Sequence, residues 1–116
     1  MKRAIIFLIA LAIGVAACAQ KDPTGYLTRM EGALQDYNYP QALVYAAMHS
    51  TGTVKSKAMR LTKELGKIRA CREITAAKKM AREESDLYLK DGNLNKHKEA
   101  KEAFARLNQV EFDFCN

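Results

Sequence analysis

Apolar residues recur at intervals of three and four positions from Tyr26 towards the end of the chain. The first series is Leu27, Met30, Leu34 and Tyr37, which lie on one face of a helix with 3.6 residues per turn. No segment alternates between apolar and polar residues over even six positions, as a half-buried strand would. The sequence therefore predicts an all-α fold, and 116 residues allow one small domain.

Proline and capping residues separate the next predicted helices. Pro40 ends the first helix, because a residue before proline avoids helical dihedrals, and it suits the first turn of a second helix over residues 40–49. Residues 50–53 supply hydroxyl groups that can cap a third helix over residues 54–89. That helix would be about 54 Å long, and Gly66 leaves open a bend or a break within it.

The apolar face of the third helix changes direction near its middle. Its first stripe comprises Val54, Ala58, Leu61, Leu65 and Ile68. Its second stripe comprises Cys71, Ile74, Ala77, Ala81 and Tyr88. We therefore expect the first half to pack on the first two helices and the second half on another element.

A turn is predicted at residues 91–95, Asp-Gly-Asn-Leu-Asn, and a fourth helix follows it to about Asp113. If the third and fourth helices form an antiparallel hairpin centred on Asn93, Cys71 and Cys115 lie side by side, because each is 22 residues from the centre. The predicted architecture is a small bundle of about four helices, arranged as two antiparallel helical hairpins with a long third helix.

Residues 1–17 have a different character from the rest of the chain. Lys2 and Arg3 precede a 13-residue apolar run, residues 4–16. A helix that crosses a bilayer needs about 20 apolar residues, so this run is too short. A positive start, a short apolar run and small residues after it predict a secretory signal peptide.

The segment Val15-Ala16-Ala17-Cys18 resembles the lipobox of bacterial lipoprotein precursors. The resemblance implies that Cys18 becomes the mature N-terminus and carries acyl chains such as palmitate on its sulfur and its amine. It also implies retention at the periplasmic face of the outer membrane, because Ala19 rather than Asp follows the cysteine. The alternative is cleavage after Ala19 by ordinary signal peptidase, which would release a soluble periplasmic protein beginning at Gln20.

Both cleavages leave Cys71 and Cys115 as the only other cysteines. Exported compartments are oxidising, so we expect these two to form a disulfide, in agreement with the predicted hairpin. The chain then divides into a signal peptide (1–17), a tether (18–25) and a helical domain (26–116).

The sequence offers few groups for catalysis or for binding a cofactor. It has only two histidines, His49 and His97, and lacks the motifs of zinc proteases, phosphate-binding loops and dinucleotide sites. Adjacent acids such as Glu83 and Glu84 point apart on a helix, which is wrong for acid–base work. We therefore predict no catalytic residue, no cofactor and no small-molecule substrate.

Residues 91–102 partly resemble a calcium-binding EF-hand loop, with oxygens at loop positions 1, 3, 5, 9 and 12. The sixth position, normally Gly, is Lys96, and the eighth, normally apolar, is Lys98. A turn followed by a helix cap at Asn95 explains the same residues more simply, so we predict no metal site.

Charge is distributed unevenly along the chain. Residues 53–82 contain ten bases and two acids, whereas residues 83–113 contain five bases and eight acids. One interpretation is a solvated helix face whose bases partly pair with the acids of the fourth helix. The other is a patch for an anionic partner: lipid phosphates, cell-wall carboxylates or an acidic protein. Its candidate residues are Lys55, Arg60, Lys63, Lys67, Arg69, Arg72, Lys78 and Lys79.

Taken together, these features predict a lipid-anchored envelope lipoprotein that acts as a non-enzymatic binding or assembly module. Its expected partners are the membrane, through the N-terminal lipid, and a protein or other anionic component of the envelope. Nucleic acid is not expected as a partner of an exported protein. The alternative function is that of a soluble periplasmic inhibitor or immunity-type protein.

Overall fold

The computed structural model describes residues 23–116, which form a bundle of five α-helices without a strand. The helices are α1 (Tyr26–Gln35), α2 (Tyr39–His49), α3 (Thr51–Leu65), α4 (Lys67–Lys90) and α5 (Leu94–Cys115). The predicted all-α class is confirmed. The predicted signal peptide and Cys18 lie outside the described residues.

The break that the sequence leaves open in the third helix is present: Gly66 separates residues 51–90 into α3 and α4, so the bundle has five helices where about four were expected. Gly66 has φ 87° and ψ 158°, a conformation that residues with a Cβ rarely adopt. The break changes the direction of the apolar stripe. Val54, Ala58 and Leu61 are buried as expected, but the side chain of Ile68 is 75% exposed.

The α1 helix ends before the last residue of its predicted apolar face. Tyr37 lies beyond the helix with φ 57°, and 77% of it is exposed. The backbone N–H of Asn38 donates to the carbonyl of Ala33 at 2.9 Å, which closes the end of the helix. Tyr37 therefore does not belong to the helix face on which the sequence places it. Tyr26, which was not placed on the predicted face, is buried.

The predicted start of α2 is confirmed. Pro40 lies in its first turn, and the side chain of Asn38 accepts a hydrogen bond from the N–H of Gln41 at 3.3 Å. The turn before α5 is also where the sequence places it. However, its helix cap is Asn93, which accepts from the N–H of Lys96, and not the predicted Asn95.

The core is built around α2, which contacts each of the other four helices. Its side chains are buried on almost every side, as its apolar composition predicts. The fully buried residues are Leu43, Val44, Ala46 and Ala47. Small residues of α4 and α5 complete this core and allow the two helices to pack closely. They include Ala70, Ala77, Ala81, Ala100 and Ala103.

Side-chain contacts between α4 and α5 follow a reversed order: the residue number rises along one helix as it falls along the other. They pair Cys71 with Cys115, Thr75 with Glu111, Lys78 with Asn108 and Ser85 with His97. The two cysteines lie at disulfide-bonding distance, with Cα atoms 5.8 Å apart. The predicted cysteine pair is thus seen in the structure.

Candidate functional site

The eight candidate cations of the predicted patch are distributed over two helices. Three lie on α3 and five on α4, on either side of the break at Gly66. Because α3 and α4 are separate helices, these cations do not form one continuous stripe. Three of them have partners within the protein, and five project into solvent.

Lys78 joins α4 to α5. Its Nζ lies 2.9 Å from the side-chain oxygens of both Asn108 and Glu111, and 5.6 Å from the ring centre of Phe104. Glu111 also accepts a hydrogen bond from the hydroxyl of Thr75 at 2.7 Å. These interactions, that from Thr75 foremost, lower the pKa of Glu111 below its usual range. Lys78 therefore stabilises the packing of α4 on α5 through its own contacts.

Arg60 and Arg69 also have partners. Arg60 Nε lies 3.3 Å from Glu64, one turn further along α3. The guanidinium of Arg69 lies 5.9 Å from the centre of the Tyr39 ring, at the start of α2. The carboxylate of Glu64 offsets the positive charge of Arg60, whereas the ring of Tyr39 restrains the position of Arg69.

The other five candidate cations are exposed and form no ion pair within residues 23–116. They are Lys55, Lys63, Lys67, Arg72 and Lys79. Two of them, Lys67 and Arg72, lie near the start of α4, close to the cysteine pair.

An open groove of about 610 Å³ lies at this end of the α4–α5 pair. Its lining residues are Lys67, Ile68, Cys71, Arg72, Thr75 and Cys115. The cysteine pair and Ile68 supply apolar surface, and Lys67 and Arg72 supply positive charge. We call this set of six residues the cysteine groove.

A second exposed apolar residue lies beside the cysteine groove. Phe112 is 65% exposed and precedes Cys115 by three residues, so both lie on the same side of α5. Exposed Ile and Phe residues beside two cations make this surface both apolar and basic. The groove is not predicted from the sequence, because the periodicity of the third helix places Ile68 on the apolar stripe. The signal for its exposure is Gly66, two residues before it.

A smaller groove of about 280 Å³ lies between the α1–α2 connection and α3. Its two cations are compensated by neighbouring acids. Lys57 lies 4.0 Å from Glu31, and Arg60 lies 3.3 Å from Glu64. This groove presents little net charge, in contrast to the cysteine groove.

Two histidines contact hydroxyl groups among the described residues: His49 Nδ1 lies 2.8 Å from Thr53 Oγ1, and His97 contacts Ser85. The Nδ1 atom of His97 lies 3.0 Å from Ser85 Oγ and 2.8 Å from the carbonyl oxygen of the same residue. A carbonyl only accepts hydrogen bonds, so Nδ1 carries the proton and cannot take one from the hydroxyl. Ser85 is also buried. The pair therefore links α4 to the first turn of α5 and does not activate a nucleophile.

The segment that resembles an EF-hand loop is helical from Leu94 onwards. Its oxygen-bearing residues therefore follow a helix and do not wrap around an ion. Within residues 23–116 the His, Cys, Asp and Glu side chains form no group of three that could bind a metal ion. Over the same residues, no helix combines the length and the hydropathy that crossing a membrane requires.

Comparison with known proteins adds no relative to these observations: no family model, no curated protein and no solved structure matches the chain.

Proposed function

We propose that this chain is a lipid-anchored lipoprotein of the bacterial envelope, acting as a non-enzymatic binding or assembly module. The observation that carries the proposal is the segment Val15-Ala16-Ala17-Cys18, which follows a positive start and a short apolar run. The pairing of Cys71 with Cys115 supports it, since it leaves Cys18 as the one cysteine of three without a cysteine partner.

The anchor determines the location of the module. Acyl chains on Cys18 would hold the protein stably at a membrane, because each buried CH₂ group contributes about 0.8 kcal/mol. Ala19 after the cysteine favours the periplasmic face of the outer membrane. The tether, residues 18–25, would then join the lipid to the first residue of α1.

The proposed scaffold consists of two antiparallel helical hairpins. The reversed order of contacts between α4 and α5 supports the second hairpin. The tight connection at Tyr37 and the packing of α1 on α2 support the first. Two hairpins joined through α3 would present a rigid surface to a partner.

The unpaired cations provide the contact surface of the module. Their partner is an anionic component of the envelope, because exposed Lys and Arg without acidic neighbours attract negative charge. Arg60, Arg69 and Lys78 contribute less to this surface, since each of them already contacts another group of the protein.

Metabolic labelling with radioactive palmitate tests the anchor. The wild-type protein is expected to take up label, and Cys18→Ser is expected to take up none. The double variant Cys71→Ser/Cys115→Ser is the matched control, because it removes two thiols but keeps the lipobox. It should be labelled like the wild type.

Absence of label in the wild type would contradict the lipoprotein proposal. N-terminal sequencing of the exported protein then identifies the alternative. A chain that begins at Gln20 would indicate a soluble periplasmic protein, of the inhibitor or immunity type, released by ordinary signal peptidase.

A further inference from the structure

The surface around the cysteine groove combines large exposed apolar side chains with unpaired cations. Ile68 and Phe112 expose 75% and 65% of their surface, although large apolar side chains prefer burial. Lys67 and Arg72 line the groove without an acidic partner among the described residues. Lys79 follows Arg72 by seven residues, two turns along the same side of α4.

The shape of this surface favours an extended partner. The cysteine groove is open, and Ile68 projects from it into solvent. Sites for small molecules are instead concave and enclose most of the ligand's surface. The groove also lacks acidic side chains, which would pair with the basic groups of a protein partner. Apolar side chains that project between cations are typical of segments that lie in the interface of an anionic bilayer.

We propose that the surface formed by Ile68, Phe112, Lys67, Arg72 and Lys79 docks on the anionic bilayer that carries the lipid anchor. Ile68 and Phe112 enter the boundary between headgroups and acyl chains. The three cations contact lipid phosphates. This inference rests on the proposed anchor at Cys18, and it assigns the cation-rich surface of α4 to lipid as its partner.

The length of the tether allows this orientation. Tyr26 lies eight positions after Cys18, and a chain of this length can span about 28 Å when extended. Tyr26 packs on α5 beside Glu99, which is sixteen residues, or about 24 Å, from Cys115 along the helix. A helix is about 10 Å across, so the tether can pass round α5 while α4 and α5 lie along the membrane.

A single tryptophan provides the test, because the chain contains none. The protein carrying Ile68→Trp is purified from membranes and reconstituted into vesicles of phosphatidylglycerol and phosphatidylethanolamine with brominated acyl chains. Ile68 is exposed, so the substitution leaves the core intact. We expect blue-shifted emission from the indole and strong quenching by bromine.

Tyr37→Trp is the matched control. Tyr37 is as exposed as Ile68, but it lines the smaller groove beside α3 and not the cysteine groove. Its indole should stay unquenched in the same vesicles. Adding Lys67→Gln and Arg72→Gln to the Ile68→Trp protein should lower the ratio of docked to undocked protein about fivefold for each cation removed. Raising the salt concentration should have a similar effect.

Docking is overturned if the Ile68→Trp protein sediments with the vesicles and its emission matches that of Tyr37→Trp. The anchor would still stand in that case. Quenching of a protein that takes up no palmitate would support docking and contradict the anchor. Equal quenching in vesicles of phosphatidylcholine alone would overturn the role of the cations.

Discussion

The phenol of Tyr26, the first residue of α1, donates a hydrogen bond to the carboxylate of Glu99 in α5, 73 residues further along the chain. Lys96 donates to the same phenol oxygen at 2.7 Å. Only 2% of Tyr26 is exposed, and its ring stacks on Tyr45 at 6.4 Å between centres. The helix that the tether enters is thus joined to α5 by a partly buried polar contact.

Removal of this phenol should destabilise the fold. Tyr26→Phe keeps the buried ring but deletes hydrogen bonds to two charged groups, so we expect a loss of about 1–2 kcal/mol in the free energy of unfolding. Urea denaturation at neutral pH measures it. Tyr37→Phe deletes an exposed hydroxyl and should change stability by less than about 0.5 kcal/mol. An equal effect of both variants would contradict the role of the contact.

The same contact predicts a loss of stability at alkaline pH. Burial raises the pKa of Tyr26 above 10.0, and the hydrogen bond to Tyr26 raises the pKa of Lys96 above 10.5. The folded state therefore holds protons that the unfolded state releases, and stability falls as the pH rises through this window. Between pH 9 and 11, the free energy of unfolding should fall less steeply for Tyr26→Phe than for the wild type.

Two glutamates should respond to pH in opposite directions. Hydrogen bonds from Thr75 and Lys78 lower the pKa of Glu111, whereas burial raises that of Glu84. Glu111 therefore stabilises the fold above the unfolded value of 4.5, and this contribution is lost as the pH falls. Protonated Glu84 instead stabilises the fold below the unfolded value, and this contribution to stability is lost as the pH rises.

Glu111→Gln should consequently reduce stability at pH 7, by about 1 kcal/mol, and have less effect at low pH. Glu84→Gln should leave stability at pH 7 unchanged or raised, and lose that advantage near pH 4. Chemical denaturation at both pH values tests the pair. Glu102→Gln, at a half-exposed ion pair with Arg106, should change little at either pH. Parallel pH profiles for the first two variants would contradict the assignment.

The same substitution at two glycines should have opposite effects. Gly66→Ala places a Cβ on a residue with φ 87° and should destabilise the protein by about 1–2 kcal/mol. Gly32→Ala adds a Cβ inside α1 with no atom within 4 Å and should stabilise it by about 0.5–1 kcal/mol. Thermal unfolding compares them. A stabilising Gly66→Ala would mean that α3 and α4 can join into one helix.

Reduction of the Cys71–Cys115 pair should lower the free energy of unfolding. Cys71 and Cys115 are 44 residues apart, and a disulfide that closes such a loop stabilises by about 4 kcal/mol in the chain-entropy model. Denaturation with and without a reductant measures this difference. The double variant Cys71→Ser/Cys115→Ser should match the reduced protein and not respond to the reductant. Identical curves for oxidised and reduced wild type would contradict the prediction.

Local signals in the sequence are sufficient to predict most of the helices. Pro40 and the turn after Lys90 act through their own backbone preferences, so their effects can be read without knowing the fold. The cysteine pair is predicted from the two cysteines that remain after export, and the equal distance of each from that turn agrees with it. These features depend on few residues, which explains why the prediction and the structure agree on them.

The differences between the predicted and the observed structure depend on the conformation of the backbone or on contacts between distant parts of the sequence. Periodicity alone cannot tell a helix that continues through Gly66 from one that stops there, and this choice decides whether Ile68 is core or surface. The burial of Tyr26 depends on a carboxylate in the last helix, which no local pattern reveals. For the candidate site, composition identified the cations, but only the structure distinguishes Lys78, paired with Glu111, from the unpaired Lys67.

Cys115 is the last residue of α5. The link to Cys71, one wall of the cysteine groove and the packing of Phe114 on the core therefore all depend on the final turn of this helix. A variant truncated before that turn would keep every cation of the surface and lose the link between α4 and α5. The charge of the surface and the crosslink beside it are thus separable by a single truncation.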